Sequence, residues 1–189
     1  VDPEKFTEVV SHEHSKHLKV VPYTCHILVS GNLPEMAFYR AEWGNDAIDQ
    51  CVDAMRFGAP SVSVDPVPDF NDFLVWKLAG LVKTFDLDGL YFDYAQVGRP
   101  SVKQEAGFGY LRDGHIRPTV PIFATRDFYK RIYVMLEATG KDTFLIGHTS
   151  AHIEVPIMSF LDAYLGGEQA GPTGEQSYLD VYPLDQLRA

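Results

Sequence analysis

Cysteine is scarce in this 189-residue chain, and its scarcity limits the kinds of site that the chain can hold. Cys25 and Cys51 are too few for a disulfide framework, and neither lies in a CxxC or other metal-binding spacing. The segment HEHSKH is rich in histidine, but the metalloprotease motif HExxH requires a second histidine at the position of Lys16. The sequence therefore predicts no metal site and no cofactor.

Basic side chains and long apolar runs are also lacking. The chain has 16 Lys and Arg residues against 26 Asp and Glu residues, and the resulting net charge of -10 is the wrong sign for binding nucleic acid or an anionic membrane. No run of about 18 apolar residues occurs, and the start, VDPEKFTEVV, has neither an initiator methionine nor a signal-peptide pattern. We therefore expect a fragment of a longer protein whose partner is a neutral or cationic small molecule, with no nucleic acid and no membrane.

Apolar residues make up 46% of the chain and aromatic residues 13%, enough for one packed core, so residues 1–189 are interpreted as a single domain. Apolar periodicity predicts helices over residues 5–17, 46–57, 70–84 with Asp69 as N-cap, and 127–138 after Thr125. Strands are predicted at LKVVPYTC, SVSVDP, DLDGLYFDYA, TFLIGHTS and LDAYLGGEQ. Loops are predicted for the stretch with GNLPE and AEWGND and for residues 96–122, whose length is typical of a functional loop.

The predicted strands and helices alternate along the chain. Right-handed crossovers then give a parallel sheet covered by helices, which is the α/β class. No glycine-rich phosphate-binding motif follows a strand, which disfavours nucleotide-binding folds and favours a (β/α) TIM-type barrel with parallel strands. A complete barrel needs about 200 to 250 residues and eight strands, whereas this sequence offers four or five. We therefore expect a partial barrel from a longer multidomain protein.

Polar side chains lie where the predicted strands end, at the edge where α/β barrels place their active sites. In chain order these are Tyr23 and His26, Asp65, Asp93 and Tyr94, His148 and Ser150, and Glu168 and Gln169. Glycoside hydrolysis needs one carboxylate to stabilise or attack the cationic sugar centre and another to protonate the leaving oxygen. The sequence thus predicts a catalytic pair, Asp93 and Glu168, and substrate-binding residues Tyr23, His26, Tyr94, His148 and Gln169.

Each assignment has a structural alternative. Asp93 could cap the following turn, but its aromatic neighbours set its charge against apolar surface and favour the catalytic role. Glu168 follows two glycines, which allow a ligand to approach closely, and it equally fits an ordinary polar loop. His148 could donate to a sugar hydroxyl or be a half-buried histidine of the fold. Trp76 lies in a predicted helix, whereas Trp43, in a predicted loop, could stack on a sugar and is added to the substrate-binding residues.

Several stretches together resemble bacterial glycoside hydrolase family 123-like domains, among them VPYT, SVSVDP, DGLYFDYA, DGHIRPTVPIFATRDFYKRIY, IGHTS and SFLDAYLGGEQ. The match keeps the same order over nearly the whole chain, and DGHIRPTVPIFATR is its most distinctive part. The resemblance implies a TIM-barrel catalytic region, often flanked by β-rich domains, in a periplasmic or secreted protein. It also implies action on β-linked N-acetylgalactosamine, with the sugar's acetamide as nucleophile and an adjacent Asp-Glu pair as stabiliser and acid/base.

Asp93 stands at the Asp of that pair, but Tyr94 stands where the family has Glu. The resemblance therefore supports Asp93 alone and leaves the acid/base role to Glu168 or to no residue. Two hypotheses follow. One is a glycoside hydrolase acting on a carbohydrate that contains an N-acetylhexosamine, and the other is a non-catalytic carbohydrate-binding or inactive barrel relative. Under both, an open barrel exposes strand edges, so we expect pairing with the remaining domains of the parent protein or in a homo-oligomer.

Overall fold

The computed structural model describes residues 2–45, 61–149 and 154–166, together with residues 181 and 185. The helices in these ranges are α1 (Pro3–Ser15), α2 (Met36–Trp43), α3 (Pro68–Phe85), α4 (Ile122–Glu137) and α5 (Val155–Met158). The strands are β1 (Tyr23–Cys25), β2 (Leu28–Ser30), β3 (Ser61–Ser63), β4 (Gly89–Asp93), β5 (Tyr110–Arg112), β6 (His115–Arg117), β7 (Phe144–His148) and β8 (Ala163–Leu165). A 3-10 turn, Gln104–Ala106, lies between β4 and β5.

The central feature is a four-stranded parallel sheet in the order β1-β4-β7-β8. Helix α3 precedes β4, α4 joins β4 to β7, and α5 joins β7 to β8, so helices connect neighbouring parallel strands. The predicted α/β class and parallel sheet are confirmed. Each of the four strands lies within a predicted segment but is shorter than that segment.

The two faces of the parallel sheet have different surroundings. Leu90 and Phe92 of β4 are fully buried and share one core cluster with Phe128 and Ile132 of α4. Side chains alternate along a strand, so Asp93 and the other odd-numbered residues of β4 point to the opposite face. That opposite face is the interior in a closed barrel. We call it the inner face.

Local signals explain where the helices begin. The Asp2 carboxylate accepts hydrogen bonds from the amides of Glu4 (3.1 Å) and Lys5 (3.4 Å), so α1 begins at Pro3, before the predicted start. Helix α3 also begins at a proline, Pro68, which places Asp69 in the first turn and not at the predicted N-cap. Helix α4 begins at Ile122, so Thr125, its predicted cap, is buried within the helix.

The region before α3 differs from the prediction. The stretch with GNLPE and AEWGND is not a loop throughout, because it contains α2. Strand β3 pairs antiparallel with β2 (Leu28 with Ser63), so SVSVDP does not join the parallel sheet as predicted. Met36 and Trp43 of α2 pack into a second core cluster with Val62 of β3. The predicted helix 46–57 lies outside the described residues.

The long connection after β4 also has more structure than predicted. Within residues 96–122, β5 and β6 form an antiparallel hairpin, and Ser101 bridges to Thr119. The connection is tied to the end of β3 by Asp65, which is 1% exposed and accepts hydrogen bonds from Asn45 Nδ2 (2.7 Å) and Ser101 Oγ (2.8 Å). A buried carboxylate needs such donors. Asp65 therefore holds this connection in place, which explains its position at a strand end.

Candidate active site

Asp93 ends β4 on the inner face, at the carboxyl edge of the parallel sheet. Its Oδ1 lies 3.0 Å from Nδ1 of His148, the last residue of the neighbouring strand β7. Its Oδ2 accepts a hydrogen bond from the Tyr23 hydroxyl of β1 at 2.5 Å. The backbone amide of Tyr94 donates to Oδ1 at 2.9 Å. Three segments of chain thus converge on one carboxylate, and we call Tyr23, Asp93, Tyr94 and His148 the Asp93 cluster.

The parallel register explains why these residues meet. Cys25 pairs with Asp93, and Tyr23 pairs with Tyr91, so β1 and β4 present matching rows on the inner face. Phe92 pairs with Gly147, which sets Asp93 beside His148 on the next strand. Residues directly opposite on neighbouring strands have side chains within contact distance. The cluster is therefore a consequence of the sheet and not of a loop conformation.

The hydrogen bonds of the cluster fix the orientation of the Asp93 carboxyl group. The side chains of Asp93 and His148 are 17% and 13% exposed. An ionised carboxylate only accepts hydrogen bonds, so His148 carries a proton on Nδ1 when it is bonded to Asp93. The contact thus holds the His148 ring against the Asp93 carboxyl group.

Tyr94, directly after Asp93, adopts a left-handed backbone conformation with φ of 52°. This region is uncommon for residues other than glycine and costs about 1 to 2 kcal/mol. The conformation turns the chain so that the Tyr94 amide faces Asp93 and the Ala95 amide donates to the His148 carbonyl at 2.8 Å. Strain of this kind is concentrated at functional sites, where surrounding structure maintains it.

Aromatic rings border the carboxylate on the inner face. The rings of Tyr23 and Tyr91 lie 5.7 Å apart, and those of Tyr91 and His148 lie 6.1 Å apart. Tyr23 is 58% exposed, so its ring can contact a ligand even though its hydroxyl is bonded to Asp93. Burial, reinforced by the hydrogen bond and charge of Asp93, raises the pKa of Tyr23 well above its ordinary value. The phenol therefore stays protonated and remains a donor.

Sequence reasoning missed two residues of this face, Cys25 and Tyr91. Cys25 is two residues after Tyr23 in β1, and Tyr91 is two residues before Asp93 in β4. Because side chains alternate along a strand, each shares the face of its partner, and strict alternation would have found both. Burial raises the pKa of the Cys25 thiol, outweighing backbone hydrogen bonds that lower it. Cys25 is therefore a neutral neighbour of Asp93.

His26, predicted to bind substrate, lies on the other face of the sheet. It is 4% exposed and stacks on the Phe128 ring at 5.4 Å, with edge contacts to Phe92 and Tyr129. Its ring nitrogens lie 3.3 Å from the Gln96 carbonyl and 3.4 Å from the Tyr129 hydroxyl. Burial lowers the pKa of His26 to about 4, so it is neutral at physiological pH. The structure gives His26 a packing role beneath the site and does not bring it together with Asp93.

Trp43, predicted as a sugar platform in a loop, is the last residue of helix α2. It is 3% exposed and packs against Phe70 and Phe73 of α3, with Tyr39 stacked at 4.7 Å. A ring enclosed in this way has little surface to offer a sugar. Trp76, assigned to a helix, is in α3 as expected. The other predicted site residues, Glu168 and Gln169, lie outside the described residues, as does Ser150.

Other ionisable groups in the described part of the chain form no metal cluster, since no three of its His, Cys, Asp and Glu side chains are grouped to hold an ion. None of the helices in the described ranges is long and apolar enough to cross a membrane. A groove of about 360 Å³ lies between the ends of α3 and α4 and is lined by Val82, Leu87, Met135 and Lys141, among others. It is at the amino end of the sheet, opposite the Asp93 cluster.

Comparison with known proteins identifies relatives of the fold. No family model and no curated protein sequence matches the chain. A solved structure of the maltogenic α-amylase AmyB from Thermotoga neapolitana matches with a TM-score of 0.56 and 15% identity over 85% of this chain and 31% of that one. The α-galactosidase TtGalA from Thermus thermophilus, in complex with stachyose, matches with a TM-score of 0.54 and 13% identity over 96% of this chain and 35% of that one.

Ega3 from Aspergillus fumigatus, in complex with galactosamine, matches with a TM-score of 0.57 and 11% identity over 95% of this chain and 62% of that one. This chain therefore spans about a third of the length of the two bacterial enzymes and less than two thirds of Ega3. Identities this low show the fold alone. The chain has the α/β fold of part of a TIM-type barrel, of the kind found in these glycoside hydrolase structures.

Proposed function

We propose that the chain is the part of a glycoside hydrolase barrel that carries the carboxylate nearest to the reacting sugar carbon, Asp93. The observation that carries this proposal is the position of Asp93 at the carboxyl end of β4, on the inner face, with donors from β1 and β7. Barrel enzymes place their catalytic side chains at that edge. The left-handed Tyr94 beside it supports the same assignment.

The chemistry follows from the charge of Asp93 and its surroundings. Glycoside cleavage passes through a transition state in which the anomeric carbon carries positive charge. A carboxylate that is fixed by three donors and mostly withdrawn from water stabilises such charge without reorganising. The exposed ring of Tyr23 provides apolar surface on which the face of a sugar can stack.

Glu168 is the proposed acid/base partner. The resemblance to family 123 leaves this role open, because Tyr94 stands where the family has Glu. A working carboxyl pair in a glycosidase is separated by about 5 to 9.5 Å. A crystal structure of the complete protein would give the distance between the carboxyl groups of Asp93 and Glu168. A separation far outside that range excludes Glu168 as the partner.

The proposed substrate is a carbohydrate that contains an N-acetylhexosamine. The family resemblance supports this class, with β-linked N-acetylgalactosamine as its specific form. Proposed partners are the remaining strands of the parent barrel or a second copy of the chain, which would cover the edges of the sheet at β1 and β8.

The test is a screen of the complete protein against chromogenic glycosides of several hexoses and N-acetylhexosamines. We expect release of the chromophore from at least one glycoside, and loss of this release in Asp93→Asn. Glu168→Gln should lose activity on substrates with poor leaving groups and retain more on activated ones, because general-acid assistance matters less there. Turnover that is unchanged in Asp93→Asn would contradict the proposal.

A second candidate function, carbohydrate binding without catalysis, is favoured by one observation. The residue after Asp93 is Tyr94, and the described contacts of Asp93 include no second carboxyl group. Under this alternative the Asp93 cluster holds a sugar but does not cleave it. Calorimetry with oligosaccharides would then show binding that persists in Asp93→Asn, with no turnover in the wild type.

A further inference from the structure

Tyr23 was assigned from the sequence as a substrate-binding residue, but its hydroxyl is directed at protein and not at solvent. The ring is 58% exposed, whereas the hydroxyl donates to Asp93 Oδ2 at 2.5 Å. The contact crosses from β1 to β4 and is fixed by the pairing of Tyr23 with Tyr91 and of Cys25 with Asp93. The polar group of Tyr23 therefore binds Asp93, and only its ring is available to a ligand.

The two carboxyl oxygens of Asp93 have different hydrogen-bond partners. Oδ1 accepts from the amide of Tyr94, the residue directly after β4, and lies against His148 of β7. Oδ2 accepts from the Tyr23 hydroxyl of β1. Removing the Tyr23 hydroxyl would release one oxygen and leave the other in place. The carboxylate could then rotate about its last bond, and its charged form would lose a donor.

We propose that Tyr23 is a positioning residue, which fixes the orientation of Asp93 and stabilises its ionised form through the Oδ2 contact. The effect of Tyr23 on activity rests on the proposed function, whereas its hydrogen bond to Asp93 does not. Within the part of the chain that the structure describes, the titratable groups that face or influence Asp93 are Tyr23 and Cys25 on β1, Tyr91 on β4, Tyr94 directly after β4, His148 on β7 and Tyr129 on α4.

Three of these groups, Tyr23, Cys25 and Tyr129, stay neutral when the pH is lowered. Burial raises the pKa values of both Cys25 and Tyr129, and the charge of Asp93 adds to the effect, so neither becomes charged in the acidic range. Tyr23 likewise stays protonated. The Tyr23 hydroxyl therefore remains protonated, and able to donate, throughout the acidic range.

The experiment compares Tyr23→Phe with Tyr110→Phe in the full chain. Tyr110 is 48% exposed on the β5–β6 hairpin, and Tyr110→Phe removes the same hydroxyl group outside the Asp93 cluster. The side-chain carboxyl carbon of Asp93 is followed by ¹³C NMR against pH, with its resonance identified by its absence in Asp93→Asn. We expect the titration midpoint to move up by about one pH unit in Tyr23→Phe. It should stay in place in Tyr110→Phe.

A second measurement needs no variant and covers the case in which Tyr23→Phe folds poorly. In the wild type, the hydroxyl-bearing ring carbon of Tyr23 should show an inflection at the same pH as the Asp93 carboxyl carbon, because the hydrogen bond weakens when Asp93 is protonated. An Asp93 midpoint that is unchanged in Tyr23→Phe, or a Tyr23 ring carbon that does not respond to Asp93, overturns the proposal.

Activity data then separate the two proposals. If the wild type hydrolyses a glycoside, the acidic limb of its pH-rate profile should move up in Tyr23→Phe by the same amount as the NMR midpoint. A limb that stays in place overturns the positioning role in catalysis. If the NMR midpoint moves but the wild type hydrolyses no glycoside, Tyr23 still positions Asp93, and it is the proposed hydrolase function that fails.

Discussion

The two ends of strand β4 each carry an aspartate bonded to a histidine, and the comparison shows how position determines the role of the same pair. At the amino end, Asp88 Oδ2 lies 2.7 Å from His14 Nε2 of α1 and also accepts from the Val20 amide at 2.8 Å. At the carboxyl end, Asp93 meets His148 at 3.0 Å. The distances are similar, so the pair itself does not identify an active site.

The surroundings of the two pairs differ. Asp88 joins α1 to the start of β4, near an ion pair between Lys141 and Asp86, and its neighbours are ordinary helix ends and turns. Asp93 faces the inner side of the barrel, with an exposed tyrosine ring beside it and a strained tyrosine after it. In barrels the carboxyl end carries catalysis and the amino end carries stability. We therefore expect substitutions at Asp88 to affect folding and substitutions at Asp93 to affect activity.

The largest expected effect is on turnover in Asp93→Asn. Removing a preorganised charge from a catalytic centre costs about 10² to 10³ in kcat or more, so kcat on the best glycoside should fall by at least that factor. The matched variant is Asp88→Asn, which makes the same change at the other end of β4. Its kcat at a temperature well below the melting point should stay within about twofold. Steady-state kinetics of both variants check this, and equal losses in the two would remove the distinction between the ends.

The amino end of β4 should be sensitive to a single added methyl group at Gly89. A Cβ at Gly89 would lie 1.8 Å from the Phe144 carbonyl oxygen, which is backbone of the paired strand and cannot turn aside. Gly89→Ala should therefore lower the free energy of unfolding by about 3 kcal/mol. Gly80→Ala is the control, since its Cβ meets nothing within 4 Å in the exposed middle of α3. It should raise stability by up to about 1 kcal/mol. Denaturant titration measures both.

Asp88→Asn should lower the free energy of unfolding at neutral pH by about 2 kcal/mol, since charge-assisted hydrogen bonds are lost. Burial acts to raise the pKa of Asp88, but the Val20 amide and His14 outweigh it, and the pKa lies below its ordinary value of 3.8. A carboxyl group whose pKa is lower in the folded state stabilises the fold at pH values above its pKa in the unfolded state. It loses that contribution as the pH falls through its pKa in the folded state. The difference between wild type and variant should thus shrink below about pH 4. A difference that grows on acidification would show the opposite sign of coupling.

The smallest expected effect concerns the strained residue at the carboxyl end. Tyr94→Asn should change the free energy of unfolding by less than about 1 kcal/mol, because asparagine tolerates the left-handed region and the relief offsets lost ring packing. Tyr91→Asn, in extended strand backbone, has no such strain to relieve and should cost more. Thermal melts of the two variants give the comparison. Equal costs would mean that Tyr94 is not strained.

The sequence predicted the parallel α/β fold and the position of Asp93 because both depend on local signals: apolar runs, alternating elements and an acid at a strand end. It could not predict that β3 leaves the parallel sheet, since three-residue strands carry no information on their partners. His26 and Trp43 were assigned to the site by proximity to a strand end or a loop. Their burial is a tertiary property, although alternation from Tyr23 already directs His26 to the helix-covered face.

The contacts within the Asp93 cluster could not be predicted from the sequence either. Tyr23 and His148 were predicted to bind substrate, and only the register of three parallel strands shows that both contact Asp93. The left-handed Tyr94 had no sequence signal, because glycine, asparagine and aspartate are the residues expected there.

The most direct test of the central claim is a crystal structure of the complete protein, as Asp93→Asn, with an N-acetylhexosamine oligosaccharide bound. The account predicts a sugar on the inner face at the carboxyl edge of the sheet, with its anomeric carbon or its acetamide group in contact with the side chain at position 93. A sugar bound only at the amino end of the sheet, or on the outer helices, would contradict it.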